Sequence, residues 1–127
     1  MEILAEGMSF IDLMDHIGID KDRAWDFYEK MRGFLFNNAV AEPEFVLADV
    51  VEDEEVIGAF FEEHWRNHRL FLSSRILEFK DDGKFFYLTH EIVHYLDWHI
   101  LGKCRTENET DTEAIRILTG WGVWHNG

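Results

Sequence analysis

The first third of the chain carries apolar residues at helical spacing. Ser9 can cap a short helix over Phe10–Ile17, and Asp20 can cap a longer helix over Lys21–Asn37. The longer helix has one apolar stripe, formed by Ala24, Phe27, Tyr28, Met31, Phe34 and Leu35. We therefore predict two N-terminal helices, which make residues 1–40 a helical arm.

The middle of the chain changes to the pattern of a small sheet. Pro43, the only proline, marks the turn out of the helical arm. Short apolar runs or alternating apolar positions, separated by polar turns, predict strands at Phe45–Val51, Val56–Trp65 and Arg69–Leu77. Lys80–Gly83 is predicted to be the next turn. We expect a small, mostly antiparallel sheet.

Two further helices are predicted after the sheet. A long uncharged surface around position 90 is typical of a buried helix and consists of Leu88, Thr89, Ile92, Val93, Tyr95 and Leu96. Gly102 can end this helix, and Lys103–Glu109 forms a polar turn. A last helix is predicted at Thr110–Leu118, because the apolar positions 114, 117, 118 and 121 recur at helical spacing.

The length and composition are those of one globular domain. A chain of 127 residues with 46% hydrophobic residues can bury a sizeable core without disulfides or metal staples. The order of elements predicts an α+β fold in a single domain, 1–127, with a core over residues 45–121 beside the helical arm. The single Cys104 excludes an intramolecular disulfide and suits a reducing compartment.

No segment of the sequence predicts contact with a membrane. No stretch approaches the roughly 18 apolar residues of a membrane span. Met1–Glu6 also lacks the basic start and apolar run of a signal peptide. We therefore expect a cytoplasmic location.

The charge of the chain disfavours one class of partner. A net charge of -14 repels the phosphates of nucleic acids, so direct binding to DNA is not expected. The two N-terminal helices could form a helix-turn-helix, but they carry the acidic residues Asp12, Asp15, Asp20, Asp22, Asp26 and Glu29. Basic proteins are the favoured partners, and simple solubility is the other reason for an acidic surface.

Residues 90–94 combine residue types that bind metals. His90 and His94 are four positions apart, so both imidazoles lie on one face of a helix and can bind one ion. Three protein ligands on Zn²⁺ leave a position for a water whose pKa falls to about 7, and Glu91 can accept a proton from it. The pattern predicts a zinc site with Glu91 as general base. The alternative is two histidines hydrogen-bonded within an amphipathic helix.

The motif at residues 90–94 resembles that of the zincin metallopeptidases. The metzincin branch would have Gly at position 97 and His at position 100, whereas this chain has Asp97 and Ile100. His99 lies about 140° around the helix from His94 and cannot easily join the same ion. A carboxylate from a following helix is the better third ligand, which is the gluzincin arrangement.

The resemblance leaves two candidates for that carboxylate. Glu113 follows His94 by 19 residues, which is similar to gluzincin spacing, and its neighbours resemble a thermolysin-type ligand segment. Asp111 lies three residues before an alanine, where ImmA/IrrE-like peptidases carry Glu. The two point to different helix faces, so only one should bind, with water, Glu109 or no third ligand as alternatives. Without a metal, Thr110 and Glu113 would form a capping box.

Three further residues are weaker candidates for the site. Thermolysin-like enzymes place an Asp four residues after the ligand Glu to orient a histidine, but this chain has Ile117 there. Asp97, one turn beyond His94, could supply that hydrogen bond instead. Tyr95 and Arg116 could stabilise an oxyanion, with core packing and a surface salt bridge as their other roles.

His64 and His68 flank the turn predicted before the strand Arg69–Leu77. They could form a second metal site or donate a hydrogen bond to an oxyanion near the cleft. Their other role is that of solvent-exposed histidines in a polar turn.

The resemblance, which covers residues 57–121, implies a zinc metallopeptidase. In those families the last strand before the metal helix pairs with an extended peptide, which here would be Arg69–Arg75. Small proteins of this sort resemble the ImmA/IrrE-like peptidases of phages and mobile elements, which cut regulators. The substrate would then be a peptide or a basic regulatory protein. The alternative function is an acidic binding or inhibitor protein that keeps a zincin-like fold without catalysis.

Overall fold

The computed structural model describes residues 2–49 and 62–123. It is an α+β structure whose elements in chain order are β1 (Glu2–Met8), α1 (Phe10–Ile17), α2 (Lys21–Asn37), β2 (Glu44–Asp49), α3 (described over residues 62–66), β3 (Arg69–Ser73), a 3-10 helix (Ser74–Glu78), α4 (Asp81–Leu101) and α5 (Glu107–Gly120). The predicted fold class is confirmed.

The two N-terminal helices form where the sequence predicts them. The Ser9 side chain accepts a hydrogen bond from the backbone of Asp12, so it caps the start of α1. Gly18 ends that helix in the left-handed region, with φ 75°. The Asp20 carboxylate caps α2 in the same way as Ser9 caps α1. The starts of both helices therefore follow from a polar capping side chain next to an apolar stripe.

The sheet is mixed, which corrects the prediction that it is mostly antiparallel. β2 is the central strand, where Phe45 pairs with Met8 of the antiparallel β1 and with Leu70 of the parallel β3. β1 is not among the predicted strands, because only Met8 of its residues is buried and no apolar alternation marks it. Residues 1–40 are therefore not helical throughout, since Glu2–Met8 is an edge strand of the described sheet.

Two of the predicted strands need correction. The strand predicted at Val56–Trp65 is wrong over residues 62–65, which are helical, and its remaining residues lie outside those described. The strand predicted at Arg69–Leu77 ends at Ser73, because the Ser73 hydroxyl accepts the backbone N–H of Arg75 and caps the 3-10 helix. The strand predicted at Phe45–Val51 is confirmed as far as Asp49, and residues 50–51 lie outside those described.

α4 is the long central helix and has two distinct faces. It begins at Asp81, so the turn predicted at Lys80–Gly83 is wrong; Asp81 and Asp82 stabilise the first helical turn through the helix dipole. Its fully buried face consists of Phe85, Leu88, Ile92 and Tyr95. Their spacing of three and four residues places them on one side of the helix. The other side faces α5.

The core fixes the orientation of α4. The ring of Phe85 lies 4.9 Å from that of Phe27 in α2, and Phe10 of α1 lies 5.2 Å from Phe45 of the sheet. The buried Lys84 donates a hydrogen bond of 2.8 Å to the backbone carbonyl of Ile17, the last residue of α1. These contacts hold the apolar face of α4 against the core. The opposite face of the helix is therefore fixed in its direction as well. Among the described helices, none is long and apolar enough to cross a membrane.

Candidate metal centre

The candidate site lies between the paired helices α4 and α5. His90 and His94 are each two residues from Ile92, and at about 100° per residue they lie on the opposite side of α4 from it. α4 ends at Leu101 and is capped by Gly102, which has φ 72°, and α5 starts after Thr106. The chain reverses direction over residues 102–106, here called the reversal. It places the first turn of α5 beside the two histidines.

The first turn of α5 differs from its predicted position. The helix begins at Glu107, and its capping box uses Thr106 and Glu109 rather than Thr110 and Glu113. Both pairs have the same spacing in the sequence, and the earlier one is used. As a result Glu107 belongs to the helix instead of a polar turn, and its side chain faces α4.

Three side chains converge in this interface. The Nε2 atoms of His90 and His94 lie 3.1 Å apart. One carboxylate oxygen of Glu107 lies 2.8 Å from the Nε2 of His90, and the other lies 3.1 Å from the Nε2 of His94. Both histidine side chains are about 90% buried, whereas the Glu107 side chain is 72% exposed. The site is therefore open to solvent on the side of Glu107.

This donor set fits a divalent metal ion. Two neutral imidazoles and a carboxylate are a common ligand set for Zn²⁺, and bonds of about 2.0–2.1 Å in a tetrahedron place donor atoms about 3.3 Å apart. The three observed separations, 2.8–3.1 Å, are close to that value. Of the residues that the structure describes, His90, His94 and Glu107 are the group that could hold a metal ion.

Asp111 contacts the other nitrogen of His90. Its carboxylate oxygen lies 2.7 Å from Nδ1 of His90, so the imidazole donates its Nδ1–H to the carboxylate. That hydrogen bond leaves the Nε2 lone pair directed at Glu107 and His94. Metal-binding histidines usually have such a carboxylate partner, which fixes the ring and increases its basicity.

His94 lies in a more apolar setting. Burial lowers its pKa, and the neighbouring His90 adds to this, although Glu107 and Asp97 oppose the shift. The Trp65 ring stacks near the imidazole, with centroids 6.5 Å apart. Its Nδ1 is buried and has no hydrogen-bond partner among the described residues. A lowered pKa favours the neutral form, which is the form that binds metals.

Glu91 lies beside this group on α4. Burial raises its pKa to about 8, and the negative charge of Glu107 contributes to the same shift. A carboxyl with a raised pKa holds a proton more tightly than an ordinary glutamate, which suits a group that takes up a proton and later returns it.

Neither of the two predicted third ligands joins the three-residue group. Asp111 contacts only the outer nitrogen of His90, and Glu113 pairs with Arg116 and lies 3.5 Å from Arg105. Those two arginines lower the pKa of Glu113, the hydrogen bond from Arg116 being the larger cause. Glu107, which is not among the predicted ligands, takes the position beside the histidines. The signal that could have found it is the earlier of the two Thr-x-x-Glu pairs, which starts α5 at residue 107.

The remaining predicted site residues have other contacts. Asp97 is buried and pairs with Arg105, rather than with a histidine. Tyr95 is fully buried and donates a hydrogen bond of 2.7 Å to the backbone carbonyl of Ala41, so it is a core residue. Arg116 is exposed and pairs with Glu113 one turn away on α5. None of these three contacts places a donor beside Glu91.

His64 and His68 occupy separate environments. The His64 ring packs 4.4 Å from the ring of Phe71. His68, which has a left-handed φ of 57°, bonds through Nδ1 to the Tyr95 hydroxyl and stacks 5.2 Å from His99. Neither belongs to the three-residue group that, among the described residues, could hold a metal ion.

Comparisons with known proteins leave the family unidentified. The chain matches no protein-family model, no curated protein and no solved structure. The assignment to the zincin metallopeptidases therefore remains a prediction based on the motif at residues 90–94.

Proposed function

We propose that this chain is a zinc-dependent peptidase of the gluzincin type, in which His90, His94 and Glu107 hold the ion and Glu91 is the general base. The observation that carries the proposal is the convergence of two imidazole nitrogens and a carboxylate at 2.8–3.1 Å. Three protein ligands leave one position open, as in catalytic zinc sites, whereas structural sites usually have four Cys or His ligands. The resemblance of residues 90–94 to the zincins supports the same function.

Hydrolysis of a peptide bond requires a Lewis acid and a group that acts as general base and then as general acid. A bound Zn²⁺ would polarise the substrate carbonyl and lower the pKa of water at the open position. Glu91 accepts a proton from the attacking water and donates one to the departing amine. Burial raises the pKa of Glu91 above that of an ordinary carboxyl, which favours its holding the proton between the two transfers.

The other residues of the site orient the ligands. Asp111 holds His90 in the tautomer that presents Nε2, while burial keeps His94 neutral. Glu107 bridges both imidazoles from the exposed side of the interface. Substrate approaches from that side, because the opposite side of α4 is filled by the core.

The proposed substrate is an extended segment of a basic protein. Within the described sheet, β3 pairs on one side only, with β2. An extended peptide can add to such an edge through main-chain hydrogen bonds, which is the role that the zincin resemblance gives to this strand. The net charge of -14 favours basic segments over acidic ones.

Metal binding and catalysis can be tested separately. Purified wild-type protein should bind one Zn²⁺, measured by elemental analysis and calorimetry, and His94→Gln should lose that binding. Glu91→Gln should retain Zn²⁺ and lose about 10²–10⁴-fold of its hydrolysis of a mixed peptide library, because only the proton carrier is removed. Glu78→Gln, at an exposed carboxylate of the 3-10 helix, is the matched control and should keep full activity.

Two results would contradict the proposal. Wild-type protein without stoichiometric Zn²⁺ binding would exclude the metal centre. Zinc binding with equal peptide cleavage by wild type and Glu91→Gln would exclude Glu91 as the base. If Glu91→Gln keeps the full biological effect, the alternative of an acidic binding or inhibitor protein is favoured.

A further inference from the structure

The position of Glu107 depends on the chain reversal between α4 and α5. Gly102 caps the end of α4 and Thr106 caps the start of α5, so only residues 102–106 connect the helices. Glu107 is the first residue of α5. Any displacement of the reversal therefore moves this carboxylate relative to His90 and His94.

Arg105 connects the reversal to both helices. Its Nη2 donates a hydrogen bond of 3.1 Å to one oxygen of Asp97 in α4, and its Nε lies 3.0 Å from the other oxygen. Its Nη1 lies 3.5 Å from Glu113 in α5. One guanidinium thus contacts two carboxylates. Asp97 lies one turn after His94 on α4, and Glu113 lies further along α5 than Glu107. The guanidinium makes one hydrogen bond and one close ion-pair contact with Asp97, and its spread donors reach both oxygens in a way that the point charge of lysine does not reproduce.

The Asp97 contact differs from an ordinary surface ion pair. The Asp97 side chain is only 3% exposed, whereas that of Arg105 is 36% exposed. A buried carboxylate needs a cation or hydrogen-bond donors, because water does not solvate it. Asp97 therefore holds Arg105 in one place, and the reversal with it.

We propose that Arg105 is a positioning residue, which holds Glu107 against His90 and His94 and so sets the affinity of the site for its metal ion. The inference rests on the proposed metal centre and adds to it a residue that does not touch the ion. It assigns to Asp97 and Glu113 the role of anchors for Arg105, in place of the contacts to histidine or metal that the sequence predicts for them.

The test measures metal affinity well below the unfolding temperature of each variant. Zn²⁺ affinity is obtained by competition with a chromogenic chelator, and the geometry from the visible absorption of bound Co²⁺. Arg105→Gln is expected to weaken binding by about 10–100-fold, the usual effect of losing a residue that orients a ligand. The Zn²⁺ affinity of Arg105→Lys is expected to lie between those of wild type and Arg105→Gln, because lysine keeps the charge but lacks the planar guanidinium.

Arg116→Gln is the matched control. It also removes an arginine that pairs with Glu113, but Arg116 makes this pair within α5, whereas Arg105 lies between the two helices. It should keep wild-type affinity. Equal losses in the Arg105 and Arg116 variants would overturn the proposal, because the effect would then come from the charge of Glu113 alone.

A double variant separates positioning from folding. Asp97→Asn with Arg105→Gln leaves no unpaired buried charge, so it should fold even if Arg105→Gln alone does not. The proposal expects the double variant to bind Zn²⁺ weakly and to show an altered Co²⁺ spectrum. Wild-type affinity in this variant would overturn it. Wild-type protein that binds no Zn²⁺ would overturn the metal centre as well, so the two failures are distinguishable.

Discussion

The two histidines of the candidate centre are held by different kinds of contact. His90 bonds through Nδ1 to the half-exposed carboxylate of Asp111. His94 has no such partner among the described residues, and its ring lies against Trp65 instead. One ring is thus oriented by a hydrogen bond and the other by packing. Substitutions on the two sides should therefore affect metal binding through different causes.

Asp111→Asn is expected to lower the Zn²⁺ affinity by about 10–100-fold, because a neutral amide is a weaker acceptor for the Nδ1–H of His90. Competition with a chelator measures the change. Asp15→Asn, at an exposed carboxylate of α1, removes the same charge and serves as control. A similar loss in both variants would mean that net charge, not orientation of the ring, sets the affinity.

At this scale the sequence predicts the contacts that follow from helical spacing. His90 and His94 share a face of α4 because they are four residues apart on a continuous helix. The third member was not predicted, because Thr106–Glu109 and Thr110–Glu113 have the same capping-box spacing, and only the first of them starts α5 at Glu107. Which glutamate reaches the histidines depends on the residue at which α5 begins, and the capping box of Thr106 and Glu109 sets that start.

The reversal gives a prediction at the scale of elements. Gly102 has φ 72°, where a side chain is strained, so Gly102→Ala should lower the free energy of unfolding by about 1 kcal/mol. Gly33, inside α2, has an ordinary φ, and an added Cβ would meet no atom within 4 Å. Gly33→Ala should therefore raise the free energy of unfolding by about 0.5–1 kcal/mol. Urea unfolding measures both, and the same sign in both variants would contradict the argument.

A second prediction concerns the contact between α4 and the segment before β3. His99 donates its Nε2–H to the backbone carbonyl of Trp65 at 2.8 Å. Burial lowers the pKa of His99 and the adjacent His68 lowers it further, although the hydrogen bond to Trp65 opposes them. The folded pKa thus lies below the unfolded value, so the unfolded chain binds more protons in acid. Stability from this group is present above the unfolded pKa and is lost as the pH falls below it.

His99→Gln tests that dependence. Glutamine keeps an N–H donor but does not titrate, so the variant should lose less unfolding free energy than wild type between pH 7.5 and pH 5.5. Urea unfolding at several pH values measures the difference. Equal pH dependence in both proteins would show that other groups, such as the buried His94, account for the loss.

The predictability of the elements follows the strength of their local signals. α1 and α2 have polar caps next to apolar stripes, and their bounds were predicted correctly. β1 has little buried surface and no alternation, so its place in the sheet depends on pairing with β2, which is distant in the sequence. The helical residues 62–65 fall in a segment predicted as a strand, because a short run containing Trp65 and charged residues fits either pattern.

The whole molecule carries a strong negative field. With a net charge of -14, repulsion among surface carboxylates opposes the compact state, and salt screens that repulsion. The free energy of unfolding at pH 7.5 should therefore rise between about 20 mM and about 300 mM NaCl. Urea unfolding at the two salt concentrations checks the sign. A fall would mean that ion pairs such as Arg105 with Asp97 outweigh the general repulsion.

The short distance along the chain between the donors has a consequence for how the centre arises. His90, His94 and Glu107 all lie within one helical hairpin, so bringing them together closes a small loop and costs little chain entropy. Contacts of this kind form early, because they do not wait for strands that are far apart in the sequence to pair. Capture of an ion by the nascent hairpin would then stabilise the framework against which the sheet assembles, and chelators would slow refolding more than unfolding.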